Sequence, residues 1–196
     1  MDSSITVAIA LGAFFVWALV IYNRLVALRN RVANGLAQID VQLKRRHDLI
    51  PNLVETARGY LSHERQTLEA VVSARAAAQA AGQAATRDAG DEPAMAAMAS
   101  AEGALSASLG RLFALAEAYP DLKANQNMMQ LSEEITTTEN KLSFTRQAFN
   151  DAVMHFNTAL ESFPAVMFAG ALGFKRAVML APLDSDIERK VPAVSF

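Results

Sequence analysis

The sequence contains no cysteine, which excludes disulfides, thiolate metal ligands and a cysteine nucleophile. Its three histidines form neither an HExxH motif nor a pair at helical spacing, so a zinc site has little support. A GxSxG motif and a glycine-rich phosphate loop are also missing, and the nine glycines are scattered. These absences predict a protein that is not an enzyme and has no catalytic residue, cofactor or metal.

The chain also lacks an excess of either charge and any strand-like alternation. Its 18 basic and 20 acidic side chains leave a net charge of −2, which gives no general attraction for nucleic acid. There is no period-two run of β-branched residues and no Asn-Gly turn. With 196 residues, of which 52% are hydrophobic, the chain is predicted to be all-α and to bury about one core.

What the chain does have is a long apolar run near its amino terminus. Ile5 to Tyr22 carries no charge, and as a helix it would rise about 27 Å, close to the ~30 Å hydrocarbon core of a bilayer. A cleaved signal peptide would begin with basic residues, whereas this chain begins MDSS, and a core helix is rarely apolar on every face. The run therefore predicts a transmembrane anchor at 1–22, with the span at 5–22.

The charges that flank this span predict its orientation. Asp2 precedes it, whereas Arg24, Arg29 and Arg31 follow it closely. By the positive-inside tendency, the amino terminus lies outside the cell and the rest of the chain lies in the cytoplasm. We therefore expect a single-pass protein of the cell (inner) membrane.

Beyond the span, apolar residues follow helical spacing. The clearest seam runs from Leu131 to Phe163 with alternating steps of four and three, as in a coiled coil. Thr138 and Thr145 occupy two of its positions, where their hydroxyls are expected to bond back to the preceding turn. Similar stripes predict three earlier helices, and we expect an up-down-up-down four-helix bundle that continues from the transmembrane helix.

The breaks between helices set the expected domain limits. Helix 1 is predicted to end near Asp48 and helix 2 to start at Leu53, while Asn125 is predicted to cap the last helix. The bundle then occupies 23–163, followed by a C-terminal apolar segment and tail at 164–196. One weakness is that helix 2, from Leu53 to about Thr86, would be about 12 Å too long for the bundle.

The stretch KRRHDLIP would then be the corner between helices 1 and 2. Lys44, Arg45 and Arg46 would compensate the carbonyl dipoles at a helix end, which accounts for one or two of the bases. Because three are present, a second hypothesis is that they bind an acidic partner together with His47, provided that Asp121 in the neighbouring loop leaves them free. Both interpretations remain open at this stage.

A further candidate surface lies in the C-terminal segment. Residues 163–174 are apolar but too short to span a bilayer. They are expected either to pack across the end of the bundle or to lie at a membrane surface. The candidate membrane-interface residues are Phe163, Met167, Phe168, Leu172 and Phe174.

Two long stretches, QIDVQLKRRHDLIPNLVET and AYPDLKAN, give the chain a specific likeness. Together with EEITTTENKLSFTRQAFNDAVMHFNTALESFP, they resemble the LemA family over nearly the whole chain. The resemblance implies one amino-terminal transmembrane helix, an antiparallel helical bundle and no established catalytic or cofactor residue.

These observations favour a non-enzymatic scaffold or adaptor for membrane or envelope protein assemblies. The alternative is a membrane-remodelling or lipid-sensing protein that uses the C-terminal apolar segment. The expected partners are the lipid bilayer and membrane or envelope proteins, with homo-oligomerisation left open.

Overall fold

A computed structural model describes residues 3–61 and 63–180, and in that part of the chain every regular element is a helix. The prediction of an all-α chain with one apolar amino-terminal helix is confirmed. The helices are α1 (Ser3–Arg58), α2 (Arg65–Ala85), α3 (Glu92–Glu117), the short α4 (Pro120–Lys123) and α5 (Gln126–Glu161). A 3-10 turn at Ala165–Met167 follows, and of the predicted C-terminal segment and tail at 164–196, residues 181–196 lie outside the described residues.

The first helix joins the apolar run to the rest of the fold without a break. α1 has 56 residues and rises about 84 Å. Its apolar window is the one candidate membrane span among the described residues, and none of that window is buried against the protein. Side chains such as Phe14 and Phe15 are therefore free to contact lipid.

The prediction that helix 1 ends near Asp48 is wrong, because α1 continues to Arg58 with Pro51 inside it. Proline has no amide hydrogen, so it leaves the carbonyl of His47, four residues earlier, without its helical donor. The Arg75 guanidinium of α2 donates to that carbonyl instead, with Nε 2.7 Å from the oxygen. A side chain from a neighbouring helix thus replaces the lost hydrogen bond, and α1 continues beyond the proline.

The true corner between α1 and α2 lies further along, after Arg58 and before Arg65. The amides of Tyr60 and Leu61 both donate to the Ala57 carbonyl, at 3.0 and 2.9 Å, and the Leu61 side chain is buried. Because α2 begins at Arg65, it has 21 residues and rises about 32 Å. The excess length of the predicted helix 2 disappears, since α2 begins at Arg65, twelve residues after the predicted start at Leu53.

Side-chain caps begin the two later long helices. The Asp91 carboxylate accepts from the Ala94 amide at 3.1 Å, next to a proline in the first turn of α3. The Asn125 side chain accepts from the Met128 amide at 3.1 Å, which confirms the cap predicted for the last helix. Both caps satisfy amides that have no partner within their own helix.

α1 and α5 pack side by side in opposite directions. Gly35 of α1 lies against Phe149, whereas Tyr60, near the far end of α1, accepts a hydrogen bond from Asn125 at 3.0 Å. Seam residues such as Ile135 and Phe149 are buried, as the spacing predicted. The two seam threonines bond back to carbonyls four residues earlier, at 2.8 Å each, which confirms that expectation.

The core consists of two hydrophobic clusters that follow each other along α1. The cluster nearer the candidate span contains α1 from Leu25 to Leu43, the second half of α5 and buried residues up to Leu180. The distal cluster contains α1 from Ile50 onward together with much of α2 and α3. Between the two, α1 carries Arg46 and His47, and both are buried.

Candidate functional site

The buried polar residues form an ionic layer between the two clusters. Arg46, fully buried, donates from Nη1 to Glu102 at 3.2 Å and from Nη2 to the Ser106 hydroxyl at 2.7 Å. Its Nη2 also lies 2.8 Å from a carboxylate oxygen of Glu139. Helices α1, α3 and α5 therefore meet at one guanidinium, which contacts the carboxylates of Glu102 and Glu139.

His47 joins the same layer from the next position of α1. Its Nε2 lies 2.9 Å from Glu102 Oε1, so Glu102 contacts both Arg46 and His47. Arg75 donates to the backbone carbonyl of His47, which brings α2 to the layer as well. All four long helices thus contribute a polar group at one level of the fold.

This layer has the chemistry of a structural element. Its charged members bond to one another, which offsets the desolvation cost that an unpaired buried charge would carry. In the described ranges 3–61 and 63–180, no group of three histidine, aspartate or glutamate side chains lies close enough to hold a metal ion. A polar layer between apolar clusters instead favours one register of the helices over shifted ones.

The residues predicted to bind a partner lie in different places. Lys44 and Arg45 are exposed on α1, and neither forms an ion pair with a described residue. Arg46 and His47 lie in the buried ionic layer. Asp121 is exposed in α4, and Asn125, just after α4, contacts Tyr60 beyond the end of α1. Arg46 lies twelve residues before that end, a helical rise of about 18 Å.

Four apolar side chains near the start of the C-terminal segment are exposed and are here called the collar: Phe163, Val166, Met167 and Leu172. Phe163 is 78% exposed and Met167 is 72% exposed, and the other two are also exposed. Of the remaining predicted interface residues, Phe168 is half-buried and Phe174 is buried. Val166 is a member that the sequence analysis did not single out.

Phe163 of the collar lies beside the point where the apolar run of α1 ends. Phe163 lines a surface cleft with Ile21, and the buried ring of Phe174 lies edge-on to Tyr22, with the ring centres 5.7 Å apart. The Arg29 guanidinium lies over the Phe174 ring, 5.4 Å from its centre. Phe174 therefore fixes the segment to α1, while the collar residues face outward.

Comparison with known proteins identifies the group to which the chain is related. The model of the LemA family matches residues 35–196, which is most of the chain. The chain belongs to the LemA family. The matched part begins in α1 beyond the candidate span.

This LemA-family chain is also similar to curated magnetosome proteins. It is 24% identical over 183 residues to magnetosome protein MamQ of Magnetospirillum gryphiswaldense, covering 86% of this chain and 67% of the relative. Magnetosome protein MamQ 2 of Paramagnetospirillum magneticum is 23% identical over 180 residues, covering 84% of this chain. The chain spans about two thirds of the length of these relatives, with 66% for the second.

Two asparagines of α5 hold the extended end of the described LemA chain. The side-chain amide of Asn157 donates to the Ala177 carbonyl at 2.8 Å, and its oxygen accepts from the Ala177 amide at 3.0 Å. Asn150 pairs in the same way with Leu180, at 2.9 Å for both bonds. The amide of Val178 donates to the Ala89 carbonyl at 3.0 Å, so the segment also ties down the loop between α2 and α3.

Several of these residues were not found by reasoning from the sequence. Glu102 lies in an alanine-rich stretch, where an acid normally indicates a solvent-facing position. The sequence did carry a signal for the two asparagines that hold the C-terminal segment. Asn150 and Asn157 are spaced seven apart beside the seam and therefore lie on one face of the helix. Their partners are backbone groups, which a pattern of side chains does not reveal.

Proposed function

We propose that this LemA-family chain is a non-enzymatic, membrane-anchored scaffold that holds other membrane or envelope proteins at a set distance from the bilayer. The observation that carries the proposal is the continuity of α1, which leads from the candidate span into the core of the fold as one helix. A helix without a break transmits position and direction, whereas a flexible linker would not.

The proposed architecture is an up-down-up-down bundle in which α1, α2, α3 and α5 are the four long helices. Its support is the ionic layer, to which all four contribute a polar group. From Tyr22 to Arg58, α1 rises about 54 Å, so the far end of the bundle would stand well clear of the headgroups.

The proposed docking surface lies part-way along this rod. Lys44 and Arg45 are exposed bases without an ion pair among the described residues, and Val41, one turn before Arg45, is 61% exposed. An exposed apolar side chain beside unpaired bases suits a partner with an acidic and apolar contact surface. Asp121, at the far end, would belong to a separate contact.

Site-specific photo-crosslinking in cells tests the docking surface. A photoreactive residue in place of Val41 is expected to give a discrete adduct with a membrane or envelope protein, and the combined change Lys44→Gln and Arg45→Gln should weaken it. The same probe at Met129, which is 52% exposed on α5, is the matched control. An identical adduct pattern from both positions, or no adduct from position 41, would contradict the scaffold proposal.

The proposed location is the cell inner membrane, with the amino terminus outside and the bundle in the cytoplasm. Its support is the set of three arginines that follows the span, at Arg24, Arg29 and Arg31. Because the native chain has no cysteine, Lys44→Cys creates one labelling position. An impermeant thiol reagent should label it only after spheroplasts are opened, and labelling of intact spheroplasts would reverse the orientation.

A second candidate function is insertion of the collar into the membrane interface, as in a membrane-remodelling or lipid-sensing protein. The observation that favours it is the exposed Phe163 beside the end of the apolar run, with the exposed Met167 four residues further along the chain. An environment-sensitive dye on Met167→Cys should shift to the blue in nanodiscs and be quenched by lipids that carry a quencher. The same dye on Met129→Cys should do neither, and equal spectra from the two would contradict the candidate.

A further inference from the structure

One cleft of the molecule combines bases and apolar side chains at the level where the chain leaves the apolar run. It has a volume of about 490 Å³ and lies between α1, over residues 21–31, and the end of α5 with the turn after it, over residues 155–165. Three basic residues line it, Arg24, Arg31 and His155. Among the described residues, no aspartate or glutamate does so.

The two arginines are placed to act together. They are seven residues apart, so they lie within about 20° of each other around α1. Neither forms an ion pair in the described part of the chain, whereas exposed bases such as Arg65 and Arg176 do. Two unpaired guanidiniums over one concave surface favour an anionic ligand, and guanidinium matches the geometry of phosphate.

Two apolar residues of the cleft, Ile21 and Phe163, lie on the side toward the candidate span. Ile21 is the last residue but one of the apolar run, and the exposed ring of Phe163 stands beside it. Arg24 lies about 5 Å beyond Ile21 along the helix, within the ~5 to 8 Å headgroup layer of one leaflet. Arg31 is further out, but a long side chain can reach back toward the bilayer.

A second cleft, on another face of α1, mixes bases with acids. It has a volume of about 440 Å³ and is lined by Asp40 and Asp88 together with four bases: Arg29, Arg87, Lys175 and Arg176. The two carboxylates offset part of this positive charge, and the cleft extends away from the candidate span as far as Asp40. Arg29 lies about 160° around the helix from Arg31 and only two residues from it, so it presents the same charge at nearly the same height on another face.

We propose that the cleft at residues 21–31 and 155–165 binds an anionic phospholipid, with the phosphate between Arg24 and Arg31 and an acyl chain along Ile21 and Phe163. The inference rests on the proposed membrane anchoring of residues 5–22, and it goes beyond the scaffold by naming a ligand and its site. A lipid held there would fix the rotation of α1 about its own axis, and with it the direction in which the bundle faces.

Native mass spectrometry of the full chain, released from nanodiscs of mixed zwitterionic phosphatidylcholine and anionic phosphatidylglycerol, tests the site. The wild-type chain is expected to retain one phosphatidylglycerol. Arg31→Gln should lower retention about tenfold, which is the usual effect of losing a charge-assisted hydrogen bond, and the addition of Arg24→Gln should lower it further. Arg29→Gln is the matched control and should retain the lipid as the wild type does.

Each other outcome has one meaning. Equal losses in the Arg29→Gln and Arg31→Gln variants would show general attraction of charge and overturn the site. Displacement of the lipid by inorganic phosphate would show a free-anion site and overturn the assignment to a lipid. Extraction of the wild-type chain from membranes by alkaline carbonate would refute the anchoring itself, whereas loss of lipid from an embedded, normally folded variant leaves the anchoring intact.

Discussion

Replacing Glu102 with glutamine should destabilise the fold through the ionic layer. Glu102 is 3% exposed and contacts both Arg46 and His47, whose side chains are also buried. Removing one partner of a buried ion pair costs about 3 to 5 kcal/mol, because the remaining charge is left in an apolar environment. We expect the lower end, about 3 kcal/mol, since Glu139 still lies 2.8 Å from Arg46.

The assay is thermal unfolding of the full chain in detergent micelles, followed by circular dichroism of the helices. For a chain of this size, about 3 kcal/mol corresponds to a fall of roughly 6 to 12 °C in the melting temperature. Glu139→Gln is the matched control, because that side chain is 41% exposed and its pair with Arg46 should contribute about 1 kcal/mol or less. Equal melting temperatures for the two variants would refute the idea that burial sets the cost.

Two further predictions concern backbone features of the helices. Arg75→Met should lower the free energy of unfolding by about 1 to 3 kcal/mol in the native sequence. The loss should be smaller when Pro51→Ala is also present, because the new amide at position 51 can donate to the His47 carbonyl, to which Arg75 donates in the native chain. A double-mutant cycle measured by denaturant unfolding checks this. Equal losses of stability from Arg75→Met with and without Pro51→Ala would show that Arg75 does not replace the hydrogen bond that the proline lacks. Gly82→Ala should raise stability by up to about 1 kcal/mol, because an added Cβ would meet nothing within 4 Å. Gly35→Ala should gain less or lose stability, since its Cβ would lie 3.3 Å from the α5 backbone, and equal melting temperatures for the two alanine variants would argue against this reasoning.

The sequence was most informative where one face of a long helix is buried. The spacing of α5 predicted buried residues such as Leu142, Phe149 and Phe156, because a repeating apolar step allows one helical face and no strand. Asn125 was readable as a cap, since its role depends on the next three residues alone. Phe163 continues the same spacing but is exposed, because α5 ends at Glu161 and the helical face ends with it.

Long-range contacts decided what the sequence did not reveal. Proline normally marks a helix boundary, but α1 continues through Pro51, where the distant Arg75 supplies the missing donor to the His47 carbonyl. The bases at Arg45 and Arg46 look alike in the sequence, yet one is exposed and the other is fully buried. That difference depends on Glu102, 56 positions away, which supplies the carboxylate that makes burial of Arg46 tolerable.

The paired asparagines of α5 act as a ruler for the chain that they hold. Seven helical residues rise about 10.5 Å, which is nearly the length of three extended residues at about 3.3 Å each. Asn150 and Asn157 can therefore bond positions 180 and 177 together only when two residues lie between those positions. The bonds reach only the backbone, so they do not select the side chain at either position, and it is packing in the core that restricts Leu180. An insertion or deletion between the two positions would put one asparagine out of step, so these bonds fix the length of the stretch rather than its composition.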